Sequence, residues 1–369
     1  MTRFLIRATL LLFSLQSFSA ASERISAEKL AGGMLMVGFH GTSARPGSQI
    51  CSDIRRYRLA GVILFDFNPV DKTKPKNISS RKQLKRLTGE LQACSSDHRL
   101  LIAVDQEGGR VQRLKSAYGF YGKFPKASDL IKMDQSRIES TYIKMAKELR
   151  SVGINYDLAP VVDLAINPKN HVIYGLGRSF GKDPRVVAKY ATLFIGAMHH
   201  YGILTALKHF PGHGSSMGDT HKGFVDVTHL WKGVELEPYR LLRKEADTVM
   251  VAHVFNKRLD PNYPATLSSK TVDGILRQKL GFHGVVITDD LQMGAISKKY
   301  GLRKTLELAV NAGDDILLFG NQLDPAHGVS TKKLVDTLLS LLKSGDVTLR
   351  RVKQSHARIA KLKSRLQAP

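Results

Sequence analysis

Between Ala206 and His221 the chain reads ALKHFPGHGSSMGDTH, a stretch that holds Lys208, His209, His213, Asp219 and His221 and is broken by Pro211, Gly212, Gly214 and Gly218. The apolar lead-in from Gly202 to Leu207 reads as a buried strand. Basic and imidazole groups where a strand gives way to a glycine-bearing loop suit catalysis, because the strand end fixes reacting groups and the loop admits a ligand. Asp219 and His221 stand two residues apart. A carboxylate held against one ring nitrogen fixes the tautomer and raises the basicity of the imidazole, which makes a proton shuttle near neutral pH. Taken alone, the pair would also suit a solvated loop. His209 and His213 raise the question of a metal. Their spacing matches no zinc signature such as H-E-x-x-H and no cysteine lies nearby, so neither a metal nor a cofactor is expected.

Asp289 follows the apolar run GVVIT and precedes Asp290. A carboxylate at a strand end is a candidate nucleophile or metal ligand. Neighbours on a strand point to opposite faces, so one of the pair faces the site and the other helps to cap the next helix; a role for both as caps is the alternative. A further cluster, DQEGGRVQR, runs from Asp105 to Arg113. Asp105 and Arg113 there, and Arg178 in GLGRSFGKDP, suit hydrogen bonds to vicinal hydroxyls or to an anionic group. Equally, they could brace their own loops.

The elements that must position these groups are short apolar runs: Leu35 to Phe39, Gly61 to Phe65, Leu100 to Val104, Asn155 to Ala159, Leu204 to Lys208, Thr248 to Ala252, Val285 to Thr288 and Ile316 to Phe319. Short, wholly apolar runs read as parallel strands buried on both faces. Helical periodicity separates them over Arg81 to Ala93, Ser136 to Val152, Pro184 to Tyr201, Thr271 to Leu280 and Leu302 to Ala312, with Asp183 as an N-cap and Pro184 at the first helical position. This α/β alternation predicts a single-domain (β/α)8 barrel of the TIM type, with an open doubly wound sheet as the alternative. Asp66, Asp105, Asp163, Lys208 with His209, His253 and Asp289 stand at the downstream strand ends, all of which a barrel puts on one face. No low-complexity linker or long repeat divides the chain, so one domain is expected from about Glu23 to residue 369.

The 369 residues are 43% hydrophobic, enough for a sizeable core. Arg3 and Arg7, an apolar stretch from Ala8 to Leu15, and the small residues Ser17, Ser19, Ala20 and Ala21 read as a signal peptide over residues 1–21, with an uncleaved anchor as the alternative. No cysteine follows the apolar stretch, so a lipoprotein is not expected. Export from a bacterial-type cell places the protein in the periplasm or outside. The cysteines are Cys51 and Cys94. Export permits a disulfide, but barrel topology opposes it. Cys51 would lie in the first turn of one outer helix and Cys94 in the last turn of the next, at opposite ends of parallel helices. Two separate thiols are expected. The net charge of +24 is concentrated partly in Lys72 to Arg86 and partly in Arg350 to Arg365. It is either a well-solvated surface or an attractor of anionic material. Export makes nucleic acid a poor partner.

Together these segments resemble the glycoside hydrolase family 3 enzymes, in their single-domain β-N-acetylglucosaminidase branch. The matching pieces are DQEGGRVQR, GINYDLAPVVDL (Gly153 to Leu164), GRSFGKDP (Gly177 to Pro184), KHFPGHG (Lys208 to Gly214), GDTH (Gly218 to His221), MVAH (Met250 to His253) and VITDDLQM (Val286 to Met293). The resemblance implies a retaining barrel hydrolase with Asp289 as nucleophile, His221 as general acid/base and Asp219 as its partner. It also implies sugar binding by Asp105, Arg113, Arg178, Lys208 and His209. The implied substrate is terminal β-linked N-acetylglucosamine, most naturally in GlcNAc-β-1,4-MurNAc fragments of peptidoglycan. Thr220 stands where serine is common and Gln292 where a small residue is common. The signal peptide departs from the cytoplasmic recycling role of many Gram-negative relatives and favours envelope turnover. A phosphorylase is the competing enzyme reading, since a histidine acid/base would not repel incoming phosphate. A β-glucosidase is a smaller alternative, and a non-catalytic glycan-binding envelope protein is the reading outside enzymes.

Overall fold

The computed structural model describes residues 26–323 and 328–366. The expected signal peptide lies outside the described residues. Eight parallel strands run in the order of the chain: β1 (Leu35–Gly38), β2 (Gly61–Ile63), β3 (Leu101–Val104), β4 (Tyr156–Asp157), β5 (Leu204–Phe210), β6 (Thr248–Val251), β7 (Val285–Thr288) and β8 (Leu317–Phe319). Each pairs with its neighbour, β1 pairs with β8, and a parallel bridge between Ile287 and Ile316 closes the ring. The (β/α)8 barrel expected from the sequence is therefore the fold, and all the expected strands are present. β5 extends past its expected end and carries Lys208 and His209 within the strand.

Alternation along the strands divides the apolar residues into two sets. Met36, Ile63, Leu101, Ala103, Tyr156, Leu204, Ala206, Met250, Ile287 and Leu318 fill the barrel interior. Val37, Val62, Ile102, Val104, Val249 and Val286 face outward against the helices. The interior is thus a packed core, and a ligand has access only at an open end.

Helix starts follow side-chain chemistry. Ser48, Ser80 and Asp134 accept N–H bonds at the starts of α2 (Gln49–Tyr57), α3 (Arg81–Cys94) and α4 (Gln135–Ser151), which follow the short α1 (Ala27–Gly32). Asp183 caps α5 (Pro184–His200) with Pro184 in its first turn, as expected. The short α6 covers Glu237–Leu242. The expected helix after β6, α7 (Lys270–Lys279), is a π-helix. Its buried pairs Thr271–Leu276 and Val272–Arg277 are five residues apart, matching the wider winding. Helices α8 (Leu302–Ala312), α9 (Thr331–Ser344) and α10 (Leu349–Lys363) follow. No helix among the described residues is long and apolar enough to cross a membrane.

The last helix closes the bottom of the barrel. Ile359, Leu362 and Leu366 join the interior cluster. Part of the basic C-terminal segment is consequently internal. Asp315 is fully buried and accepts from Arg277 at 2.7 Å, Arg351 at 3.3 Å, Arg358 at 3.0 Å and Ser355 at 2.7 Å. Asp247, equally buried, accepts from His199, Thr205 and Arg365.

The cysteines correct the expectation of separate thiols: Cys51 and Cys94 form a disulfide with Cα atoms 5.2 Å apart. They occupy the expected turns, the first of α2 and the last of α3. The physical reason is the path of the loop between β1 and α2, which descends alongside α3 before its helix begins. Gln83 in the first turn of α3 bonds Thr42 O at 2.9 Å, and Glu90 further down accepts from Ser43 and Ala44. Cys94 Sγ lies 3.4 Å from Ala44 O. That descent delivers the start of α2 to the end of α3.

Two predictions follow from these locks. The disulfide closes a loop with a sequence separation of 43, which in the chain-entropy description stabilises by about 4 kcal/mol. Reduction, or Cys51→Ser with Cys94→Ser, should lower unfolding free energy by about 2–4 kcal/mol in urea titrations under oxidising and reducing conditions. Asp315→Asn should cost about 3–5 kcal/mol in the same titration, because it leaves buried guanidinium groups without their counter-charge.

Candidate active site

A cavity of about 410 Å³ opens at the downstream ends of the strands. Its lining includes Asp105, Arg113, Arg178, Lys208, His209, Asp219, His221 and Asp289, which are all the site residues proposed from the sequence. The barrel therefore brings together groups contributed by the ends of β3, β5 and β7 and by loops after β4 and β5.

One wall is a row of alternating charge. Arg178 grips Glu107 through two bonds of 2.7 Å. Glu107 meets Lys208 Nζ at 2.7 Å, and the same ammonium donates to Asp105 at 2.9 Å. Asp105 then accepts from Arg113 at 3.1 Å, Arg113 lies 3.9 Å from Asp66, and Asp66 meets Lys115 at 2.5 Å. Burial works against every charge here, but the neighbours outweigh it. Lys208 and Asp105 favour each other's ionised forms, so the Lys208 ammonium is held above its usual value and the Asp105 carboxyl well below its own. Glu107 is lowered in the same way by Arg178 and Lys208. Arg178, Glu107, Lys208 and Asp105 are thus fixed donors and acceptors that stay ionised near neutral pH.

The loop bearing this row is shaped locally. Gln106 Oε1 accepts from the N–H groups of Arg113 and Leu114, folding Asp105 to Arg113 back on itself. Gly108 sits at φ +96° with its α-carbon pressed towards Pro125 O, where a Cβ would come within 2.4 Å. Only glycine fits that turn. On β5 the register shifts between Leu207 and Phe210, and both Lys208 and His209 reach the cavity. His209 Nδ1 donates to the buried Asp163 at 2.7 Å, which leaves Nε2 towards the cavity, 3.4 Å from Arg178. His213 turns into the protein, 2.8 Å from Ser216 Oγ, and burial lowers its pKa to about 4, so it stands as a neutral internal ring.

Asp289, Asp219 and His221 line the same cavity. Asp289 Oδ1 accepts the Asp290 N–H at 2.8 Å. Burial favours the neutral carboxyl, but the charges of His253, His209 and His221 and the Asp290 N–H hold it below the ordinary range. Asp289 therefore enters neutral pH as an anion. Asp290 does not cap a helix as the sequence led us to expect. Its carboxylate accepts the Gln292 N–H at 3.0 Å, and burial raises its pKa to about 6. His253, fully buried, bonds the Asp290 carbonyl at 2.9 Å and braces the turn after Asp289 without lining the cavity. Asp219 Oδ1 lies 2.8 Å from His221 Nδ1 and also accepts the His221 N–H at 3.0 Å. A carboxylate can only accept, so Nδ1 carries the proton and Nε2 is presented.

Sequence reasoning left three contributors without a role. Glu107 links Arg178 to Lys208; it lay within the DQEGGRVQR cluster but its partners are distant in sequence. Asp66 had been placed at its strand end without a task. Lys76, inside the basic run Lys72 to Arg86, is fully buried and binds Gly320 O, Asn321 O and Gln322 Oε1 at 2.6–3.0 Å. Burial lowers its pKa to about 7. It fastens the loop after β8, whose Gln322 and Leu323 line the cavity.

Residues 27–362 match the Glycosyl hydrolase family 3 N terminal domain. A β-hexosaminidase of Xylella fastidiosa is 35% identical over 299 residues, covering 77% of this chain and 82% of that protein. β-Hexosaminidase A of Pseudoalteromonas piscicida is 31% identical over 392 residues; the match covers 94% of this chain but 62% of that longer protein. Among solved structures, a family 3 β-N-acetylglucosaminidase from a Paenibacillus species superposes with a TM-score of 0.82 at 33% identity, over 92% of this chain and 62% of that one. A β-N-acetylhexosaminidase from Beutenbergia cavernae gives a TM-score of 0.81 at 27% identity, over 92% of this chain and 99% of that one. With the barrel, the charged cavity and these likenesses in agreement, the chain belongs to glycoside hydrolase family 3.

Proposed function

We propose that the protein is a retaining exo-β-N-acetylglucosaminidase that removes terminal β-linked N-acetylglucosamine from peptidoglycan fragments outside the cytoplasm. The observation that carries this reading is the meeting, in one cavity, of the ionised Asp289, the Asp219–His221 pair and the charged row from Arg178 to Lys115. Relatives across most of the chain are named β-hexosaminidases.

In the first step an Asp289 oxygen attacks the anomeric carbon as the bond to the leaving oxygen breaks. His221 Nε2 gives that oxygen its proton, so the aglycone departs as an alcohol and the sugar remains as an ester of Asp289. The neutral His221 then takes a proton from water, which attacks the same carbon and frees Asp289. Asp219 stabilises the imidazolium that exists before the first transfer and after the second. It serves the histidine as an orienting carboxylate and takes no proton itself. Asp105, Arg113, Arg178, Lys208 and His209 hold the sugar by its hydroxyl groups. Charge-assisted hydrogen bonds from groups already fixed by one another lose little freedom on binding.

Export is supported by the N-terminal pattern of Arg3, Arg7 and the apolar stretch, and by the Cys51–Cys94 bridge, which suits an oxidising compartment. The net charge of +24 suits fragments bearing carboxylates.

Asp289→Ala should remove hydrolysis of p-nitrophenyl β-N-acetylglucosaminide, a loss of at least about 10³-fold in kcat. Addition of phosphate to the parent enzyme should change neither the rate nor the product. Formation of the sugar 1-phosphate would replace the hydrolase by a phosphorylase. His221→Ala should lower kcat/KM by about 10²–10⁴-fold for a poor leaving group such as a second sugar. A 2,4-dinitrophenyl leaving group needs little protonation, so its kcat/KM should stay close to the parent value. Equal losses on the two substrates would remove His221 from the acid role.

A further inference from the structure

The nucleophile and the acid/base stand on loops that follow different strands, and something must set one against the other. We propose that the backbone N–H groups of Gly294 and Ala295, aided by Lys298, form a positioning clamp that holds the His221 loop in register with Asp289. This inference rests on the acid/base reading of His221 given above.

The geometry is specific. Gly294 N–H donates to His221 O at 3.2 Å and Ala295 N–H donates to Thr220 O at 3.2 Å. Lys298 Nζ donates to Lys222 O at 3.0 Å. Within the loop, Asp219 bonds only its own neighbours: His221 through its carboxylate, and Lys222 N–H through its carbonyl at 3.0 Å. From Asp219 to Lys222, among the described residues, every hydrogen bond that leaves the loop ends on Gly294, Ala295 or Lys298. The loop is folded by Asp219 but anchored by the clamp.

The clamp is itself fixed to the nucleophile strand. Asp289 N–H bonds Val251 O at 3.0 Å, Leu291 N–H bonds Leu318 O at 3.0 Å, and Met293 N–H bonds Asp290 O at 2.9 Å. A short, hydrogen-bonded path therefore runs from Asp289 through Met293 to the carbonyl of His221. A proton donor misplaced by about 1 Å loses much of its effect, so this path bears on the protonated step and not on the attack by Asp289.

Gly294 is needed for closeness. A Cβ there would stand 3.0 Å from His221 O, Lys222 C and Lys222 O, and ordinary contact would push the loop outward by a few tenths of an ångström. Ala295 contributes an N–H that no helical carbonyl claims, since it lies in the first turn of the short helix Gly294–Ser297. Proline is tolerated in a first turn, so Ala295→Pro deletes the bond to Thr220. Lys298 is exposed, and Lys298→Met removes only its tether.

The test measures kcat/KM of the full-length protein on N,N′-diacetylchitobiose and on 2,4-dinitrophenyl β-N-acetylglucosaminide. Gly294→Ala, Ala295→Pro and Lys298→Met are compared with His221→Ala, and melting temperatures are followed in parallel. Gly294→Ala and Ala295→Pro should lose about 10-fold or more on the disaccharide and less than about 2-fold on the activated substrate, in the sense of His221→Ala but smaller than its loss. Lys298→Met should show the same split at about 2- to 5-fold, and it serves as the decisive variant if either of the others unfolds. If His221→Ala separates the two substrates but the clamp variants, while folded, do not, the clamp is overturned and the acid/base reading stands. If His221→Ala loses both substrates equally, the acid/base reading falls and the clamp with it.

Discussion

A lysine ammonium that is 2% exposed is tolerable only where its charge is answered at bonding distance. Lys208 meets that condition through Asp105 and Glu107, and each of these is in turn answered by an arginine. Neither Lys208 nor Glu107, both buried, is stable in its place alone. The row therefore fixes how β3, β5 and the loop after β4 must stand to one another at the open end of the barrel. It leaves the cavity rigid and ionised before any sugar arrives. Donors and acceptors are set by protein partners, so binding a hydroxyl-rich ring calls for little rearrangement. The neutral His213 sits behind this wall, and burial keeps its ring from adding further charge to it.

The same principle operates at the opposite end of the barrel with a different outcome. There Asp315 and Asp247 gather arginines from the last helix and its C-terminal continuation, and no cavity results, because Ile359, Leu362 and Leu366 fill the space. A formal charge of +24 consequently overstates the basic surface. Arg351, Arg358, Arg365 and Lys76, like Lys208, Arg178 and Arg277, are spent inside the molecule or against it.

Much of this was legible in the sequence, for physical reasons. Strands buried on both faces announce themselves as short apolar runs, and the polar residue that ends each run marks the face where ligands gather. Asp289 and Lys208 were readable on those grounds, whereas His221, on a loop beyond its strand, was singled out by its spacing from Asp219 and by the family resemblance. Partnerships were harder to read. Glu107 stands two residues from Asp105, yet its binding to Arg178 spans a separation of 71. Lys76 looks like one more solvated lysine in KTKPKN until the loop after β8 folds over it. The Cys51–Cys94 pairing depended on the path of the loop after β1, which has no periodicity to reveal that it descends. The π winding of α7 was equally hidden, because its buried residues also fit an α-helical face.

The last helix contributes more than a lid. His356 donates to Leu30 O across a separation of 326, and Lys363 reaches Leu59 O across 304. The bottom of the barrel is therefore sewn together by contacts between the two ends of the chain. Such contacts carry a large loop-closure entropy and are satisfied late in folding. Until α10 docks, Asp315 has Arg277 alone as its counter-charge, Asp247 is held by His199 and Thr205 without Arg365, and the barrel interior lies open from below. The two faces of the barrel thus differ in what they rest on: the strands and their loops outline the cavity, while the opposite end depends on α10 being in place.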